Sequence, residues 1–92
     1  MKSLIVAVYD KKAQFFDKPV LTQNQETAIR MITTTVTNPD AQGLQMVKTP
    51  EDFALYELGT FDDNRGFIDA ENSPIHITDV IHCFPNNNPS EE

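Results

Sequence analysis

Four residues near the C-terminus carry the side chains best able to do chemistry: His76, Asp79, His82 and Cys83. They offer imidazole, carboxylate and thiol groups, but their spacing matches no zinc pattern. Cys83 has only His82 close by to lower its pKa, and neighbours on an extended chain point to opposite faces, so no Cys–His nucleophile is expected. Asp62 and Asp63 are adjacent carboxylates. A general acid and base must oppose each other across a substrate, whereas adjacent aspartates are turn formers. The glycines, Gly43, Gly59 and Gly66, are scattered and form no phosphate-cradling loop. The expectation is a protein that is not an enzyme and that uses no metal and no cofactor.

The segment from Tyr9 to Lys18 suggests a different chemistry, because basic and aromatic residues alternate along it. Phe15 and Phe16, with Tyr9, are candidates to stack on unpaired bases, and Lys11, Lys12 and Lys18 to meet phosphates. Arg30 is a further candidate phosphate contact. Asp10 and Asp17 dilute the positive charge, and the competing reading is that the phenylalanines close the core while the lysines solvate a loop.

The net charge of −7 argues against a general nucleic-acid binder, but it is unevenly spread. Residues 1–48 hold six Lys/Arg against four Asp/Glu; residues 49–92 hold Arg65 alone against ten acids. Glu51, Asp52, Glu57, Asp62 and Asp63 are therefore candidates for a second kind of surface, one that meets a protein partner. Acids that simply keep a small chain soluble are the plainer alternative.

These residues must be positioned by few elements. Leu4 to Tyr9 is apolar on both alternating faces and reads as a central strand. Thr22 with Gln25 fits a capping box, and Ala28, Ile29, Ile32 and Val36 recur at helical spacing, predicting a helix over about 23–37. The threonines at 33–35 lower its intrinsic propensity, so packing must hold it. Asn38-Pro39 ends it, and 40–48 reads as a loop. Thr49 and Pro50 suit the start of a helical turn. A strand follows, with Phe53, Leu55 and Phe61 on one face and Ala54, Tyr56 and Leu58 on the other. Gly59 within it signals a bulge or a close neighbour. A hairpin turn at 62–66, closed by Gly66, leads into a return strand from Phe67. Ser73-Pro74 breaks the chain, and 75–84 is ambiguous between strand and turn.

The fold class expected is α+β: a small, mostly antiparallel sheet with one main helix packed on one face. Residues 1–85 form a single domain, and 86–92 read as a disordered acidic tail. One cysteine permits no intramolecular disulfide and fits a reducing compartment. The apolar run after Met1 is too short for a signal peptide and is followed by Asp10-Lys11-Lys12, and no segment is long enough to span a bilayer. Two strands apolar on both faces need two covers, yet only one helix is evident. Either 75–84 folds over the second face or a second copy does, which points to a homo-oligomer.

The stretch Thr49-Pro50-Glu51-Asp52-Phe53, then Leu55-Tyr56-Glu57-Leu58-Gly59-Thr60-Phe61-Asp62, then Gly66-Phe67 also supports a resemblance. Glu26-Thr27-Ala28-Ile29-Arg30 and Asn38-Pro39 add to it. On these residues the chain resembles the small nonstructural proteins of gokushoviruses, single-stranded DNA phages of the microvirus family. The resemblance implies a protein made in the bacterial cytoplasm and absent from the virion. It implies a nonenzymatic role in single-stranded DNA synthesis or genome packaging, with single-stranded DNA as partner. The alternative is an adaptor whose acidic half engages a phage replication protein, a procapsid protein or a host factor. The family offers no catalytic residues to carry over.

Overall fold

Strand β1 (Lys2–Asp10) is apolar on both faces because the sheet is built around it. On one edge it pairs with β4 (Phe53–Asp62); on the other it pairs with two short strands, β2 (Phe15–Phe16) and β3 (Val20–Thr22). Strand β5 (Phe67–Asp79) completes the sheet on the far side of β4. Every pairing is antiparallel. In this computed structural model residues 1–84 are described, and the expected tail at 86–92 lies outside the described residues.

One helix covers one face. Helix α1 (Gln25–Val36) presents Ala28, Ile32 and Val36, four residues apart, to Val6, Phe53 and Leu55 of the sheet. Leu4 and Val8, on the same face of β1, pack against this cluster. The helix begins at Asn24, whose side chain accepts from the Thr27 amide at 2.8 Å. The expected capping box at Thr22 does not form; Thr22 is buried and its hydroxyl donates to the Asn24 carbonyl instead. The threonine run is accommodated by back-bonding, with the Thr33 and Thr35 hydroxyls donating to the carbonyls of Ile29 and Met31, each at 3.0 Å.

The connection after α1 is more ordered than a loop. It contains a 3₁₀ turn at Pro39–Ala41 and a short helix, α2 (Gln45–Lys48). Pro50 opens a 3₁₀ turn, Pro50–Asp52, as its fixed φ favours, but the Thr49 side chain caps nothing; its hydroxyl donates to the Gln45 carbonyl. Ser73-Pro74 does not end a strand. It lies within β5, in a stretch where 71–74 have no partner on β4, and the missing proline N–H is tolerated because β5 is an edge strand.

Residues 75–84 resolve into the end of β5 and a 3₁₀ turn at Val80–Cys83. Val80 and Cys83 join the cluster under α1, so this segment covers the helix side and not the second face. Burial there pushes the Cys83 thiol above its ordinary pKa, although a contact with Thr33 pulls the other way.

The break in alternation between β1 and β4 matters most. Along β4 and β1, Val6 stands opposite Glu57 but Ile5 opposite Gly59, leaving Leu58 as an extra residue. A single inserted residue reverses which face every later side chain takes. Phe61, which strict alternation places with Phe53 and Leu55, therefore emerges on the second face beside Ile5. Gly59 is the close approach its position suggested. A Cβ there would collide with the Asp69 carbonyl oxygen and press on the Ala70 Cα of β5. Gly66, with φ of 68°, closes the β4–β5 hairpin in the left-handed conformation expected of it.

Candidate nucleic-acid interface

The second face of the sheet carries a row of rings. Asp10 makes it possible by ending β1 in a tight turn: its carboxylate accepts from the Lys12 and Ala13 amides at 3.0 and 3.1 Å, and Gln14 takes φ of 63°. Strand β2 then returns with Phe16 opposite Tyr9. The Phe16 and Tyr9 centroids are 4.6 Å apart, Tyr9 and Tyr56 6.0 Å, Phe16 and Tyr56 5.7 Å, and Tyr56 and His76 5.5 Å. One ring from each of β2, β1, β4 and β5 thus joins a line across the sheet, at separations typical of edge and tilted aromatic pairs.

The row is seated on two alanines. Tyr9 lies opposite Ala54 and Tyr56 opposite Ala7, so each tyrosine faces a small residue on the neighbouring strand. Ala7 and Ala54 are 2% and 0% exposed, while the tyrosines remain half-buried and Phe16 is 39% exposed. The methyl groups leave room for the rings above them, and the rings keep surface facing water.

Of the residues expected to bind nucleic acid, the structure brings some together and separates others. Phe16 belongs to the row, but Phe15 is opposite Asp10 and points to the helix side, where it lines a cleft with Val8, Leu44 and Phe53. Lys11 sits at the end of β1, its Nζ donating to the Glu51 carbonyl at 3.3 Å and lying 3.8 Å from Asp79. Lys12 in the turn and Lys18 after β2 are exposed and make no ion pair among the described residues. Arg30 is exposed on α1, on the opposite side of the sheet from the row.

Tyr56 and His76 were not legible as part of this site from residue type alone. The signal was the repeated Ala-x-Tyr pattern, Ala7 with Tyr9 and Ala54 with Tyr56, which antiparallel pairing converts into two reciprocal Ala–Tyr contacts. His76 continues the line because it pairs with Tyr56, and it faces away from Ile77 as alternation requires.

Asp79 orients that histidine. His76 Nε2 and Asp79 Oδ1 are 3.0 Å apart. This hydrogen bond holds the Asp79 carboxyl below the usual range, with burial opposing and the charges of Lys11, His76 and His82 assisting. A depressed carboxyl pKa contributes stability that is present above the unfolded-state value and lost as pH falls through the folded value. Urea midpoints should therefore drop as pH falls below the ordinary aspartate value of 3.8, and Asp79→Asn should flatten that part of the profile. An unchanged profile in the variant would show that Asp79 gains nothing on folding.

The acidic candidates divide between two ends. Glu51 and Asp52 precede β4, whereas Asp62 and Asp63 lie at its far end, about 30 Å away along a ten-residue strand. Asp62 stabilises the hairpin by accepting from the Asn64 amide at 3.0 Å, and Asp63 pairs with the N-terminal ammonium at 3.0 Å. Glu57 is turned toward α1, where it accepts from Gln25 at 3.2 Å. They form no single continuous surface.

Among the described residues, His, Cys, Asp and Glu form no group of three or more that could hold a metal ion. No described helix is long and apolar enough to cross a membrane. A family model described as Phage ORF5 protein matches residues 3–83. The chain belongs to the Phage ORF5 protein family. The match takes in all of the five strands but Lys2, with α1 and the closing turn, so the ring row lies wholly within the family region. No curated protein and no solved structure matches the chain.

Proposed function

We propose that this phage protein is a nonenzymatic accessory factor of the gokushovirus type that binds single-stranded DNA during single-strand synthesis or packaging. It acts in the host cytoplasm and is not carried in the virion. The observation that carries this reading is the row Phe16–Tyr9–Tyr56–His76, with Lys11 and Lys12 in the turn between β1 and β2 and Lys18 shortly after β2. Rings presented from a sheet bind unpaired bases without regard to sequence, and flanking lysines follow the backbone. A duplex keeps its bases stacked and offers these rings nothing. The adaptor reading is less well supported, because its five acids are divided between the two ends of β4 and the helix side.

The overall charge of −7 opposes any polyanion at long range, so binding is expected in the micromolar range at low salt, near the usual strength of nonspecific contacts. Three lysine–phosphate contacts predict that log K falls with log salt with a slope of about −2 on single strands. Lys12→Ala and Lys18→Ala should each remove about 0.7 from that slope. A titration against oligo(dT) and a duplex of equal length tests this. Equal binding to both, or no binding at low salt, would defeat the proposal.

A further inference from the structure

The last ring of the row differs from the other three, because it can gain a charge. His76 lies opposite Tyr56 on the edge strand β5 and meets that ring edge-on at 5.5 Å. Half of its side chain is open to solvent. Its Nε2 is 3.0 Å from Asp79 Oδ1, and Lys11 Nζ approaches the same oxygen at 3.8 Å. The ends of β1 and β5 thus bring an imidazole, an ammonium and a carboxylate together beside the row.

The carboxylate fixes the tautomer of the imidazole. The His76 hydrogen bond keeps Asp79 in its ionised form, and the Lys11 charge assists against burial. An ionised carboxylate only accepts, so Nε2 carries the proton of the neutral ring. Nδ1 is left as an acceptor with no hydrogen-bond partner among the described residues. The next proton therefore goes to Nδ1, where it creates a charged donor that Asp79 does not use. Imidazole is the side chain that ordinarily changes charge between about pH 5 and 8. With the ring neutral, Lys11 and Asp79 cancel; with the ring protonated, two cations face one carboxylate. The other titratable groups nearby are Tyr56 on β4 and His82 in the closing turn. Glu51 and Asp52 meet Lys11 through their backbone carbonyls.

We infer that His76 is a phosphate-binding residue of this surface, whose protonated Nδ1 donates to the DNA backbone beside Lys11. This rests on the single-strand reading above and adds a pH dependence to it. Binding takes up a proton, so affinity rises as pH falls. The extra phosphate contact also steepens the salt dependence, which a merely structural histidine would not do.

Anisotropy of labelled oligo(dT), titrated at pH 8 and pH 5.5 over a salt series, tests this on the full chain. Both values lie above the range in which Asp79 loses its charge. The parent should bind about two- to fivefold more tightly at pH 5.5, as one added exposed ion contact allows. Its slope of log K against log salt should be steeper there by about 0.7. His76→Gln keeps a donor for Asp79 but cannot titrate, and should show one slope at both pH values. His82→Gln, in the turn after β5, should respond as the parent does. Equal slopes for the parent at the two pH values would overturn the inference. So would a pH response that survives in His76→Gln or vanishes in His82→Gln. Binding that ignores pH removes only the role of His76, whereas no binding at either pH removes the single-strand reading with it.

Discussion

Replacing Gly59 with alanine is expected to destabilise the protein by about 2–3 kcal/mol, a large share of the total for a domain of this size. The added methyl would strike the Asp69 carbonyl and the Ala70 Cα. Both are backbone atoms, so no rotamer change relieves the clash, and β4 and β5 must move apart. Their separation would disturb the pairings Gly59–Ala70 and Phe61–Ile68. Urea denaturation should show the midpoint falling by roughly 1–2 M at unchanged slope. A loss below about 0.5 kcal/mol would mean that the strands part locally at no cost, which is the behaviour of a permissive surface site.

The second large effect concerns binding. Phe16→Ala is expected to weaken oligo(dT) binding by about 1–3 kcal/mol, roughly five- to 150-fold, the usual range for one stacked base. Phe16 touches both tyrosines and keeps 39% of its surface open, so it has the exposure that stacking requires. Phe15→Ala, one residue away but on the other face, should change affinity by less than about twofold. Phe16→Leu separates stacking from bulk, since it keeps most of the apolar volume and loses the π-face. Fluorescence anisotropy with labelled oligo(dT) reads all three. If Phe16→Leu binds as the parent does, the ring is not a stacking group.

Much of the frame could be read from the sequence because apolar residues there obey simple periods. Leu4 to Tyr9 read as central because both faces are apolar, and it is central. Ala28, Ile32 and Val36 marked the buried stripe of α1, and Gly59 and Gly66 marked a close approach and a turn. What escaped was set by register. Strict alternation puts Phe61 on the wrong face; Gly59 signals the bulge, which falls on the adjacent Leu58, but not that it reverses the residues after it. The helix starts at Asn24 and not at the expected Thr22, because the Thr22 hydroxyl is buried and serves the Asn24 carbonyl. Phe15 and Phe16 looked like one unit, but neighbours on a strand cannot share a face. Tyr56 and His76 became site residues only through pairing across strands, which a single chain's local pattern does not state.

The composition supplies its own reporter for the ring row. The chain has no tryptophan and two tyrosines, and both tyrosines, Tyr9 and Tyr56, lie in the row. Intrinsic tyrosine emission therefore comes from the proposed binding surface alone. The decisive measurement is this emission during titration with oligo(dT), followed in parallel by anisotropy of the labelled strand. Base stacking predicts saturable quenching that follows the anisotropy curve and disappears when salt releases the DNA. Binding that leaves tyrosine emission unchanged, or no binding at all at low salt, would contradict a stacking surface on this sheet.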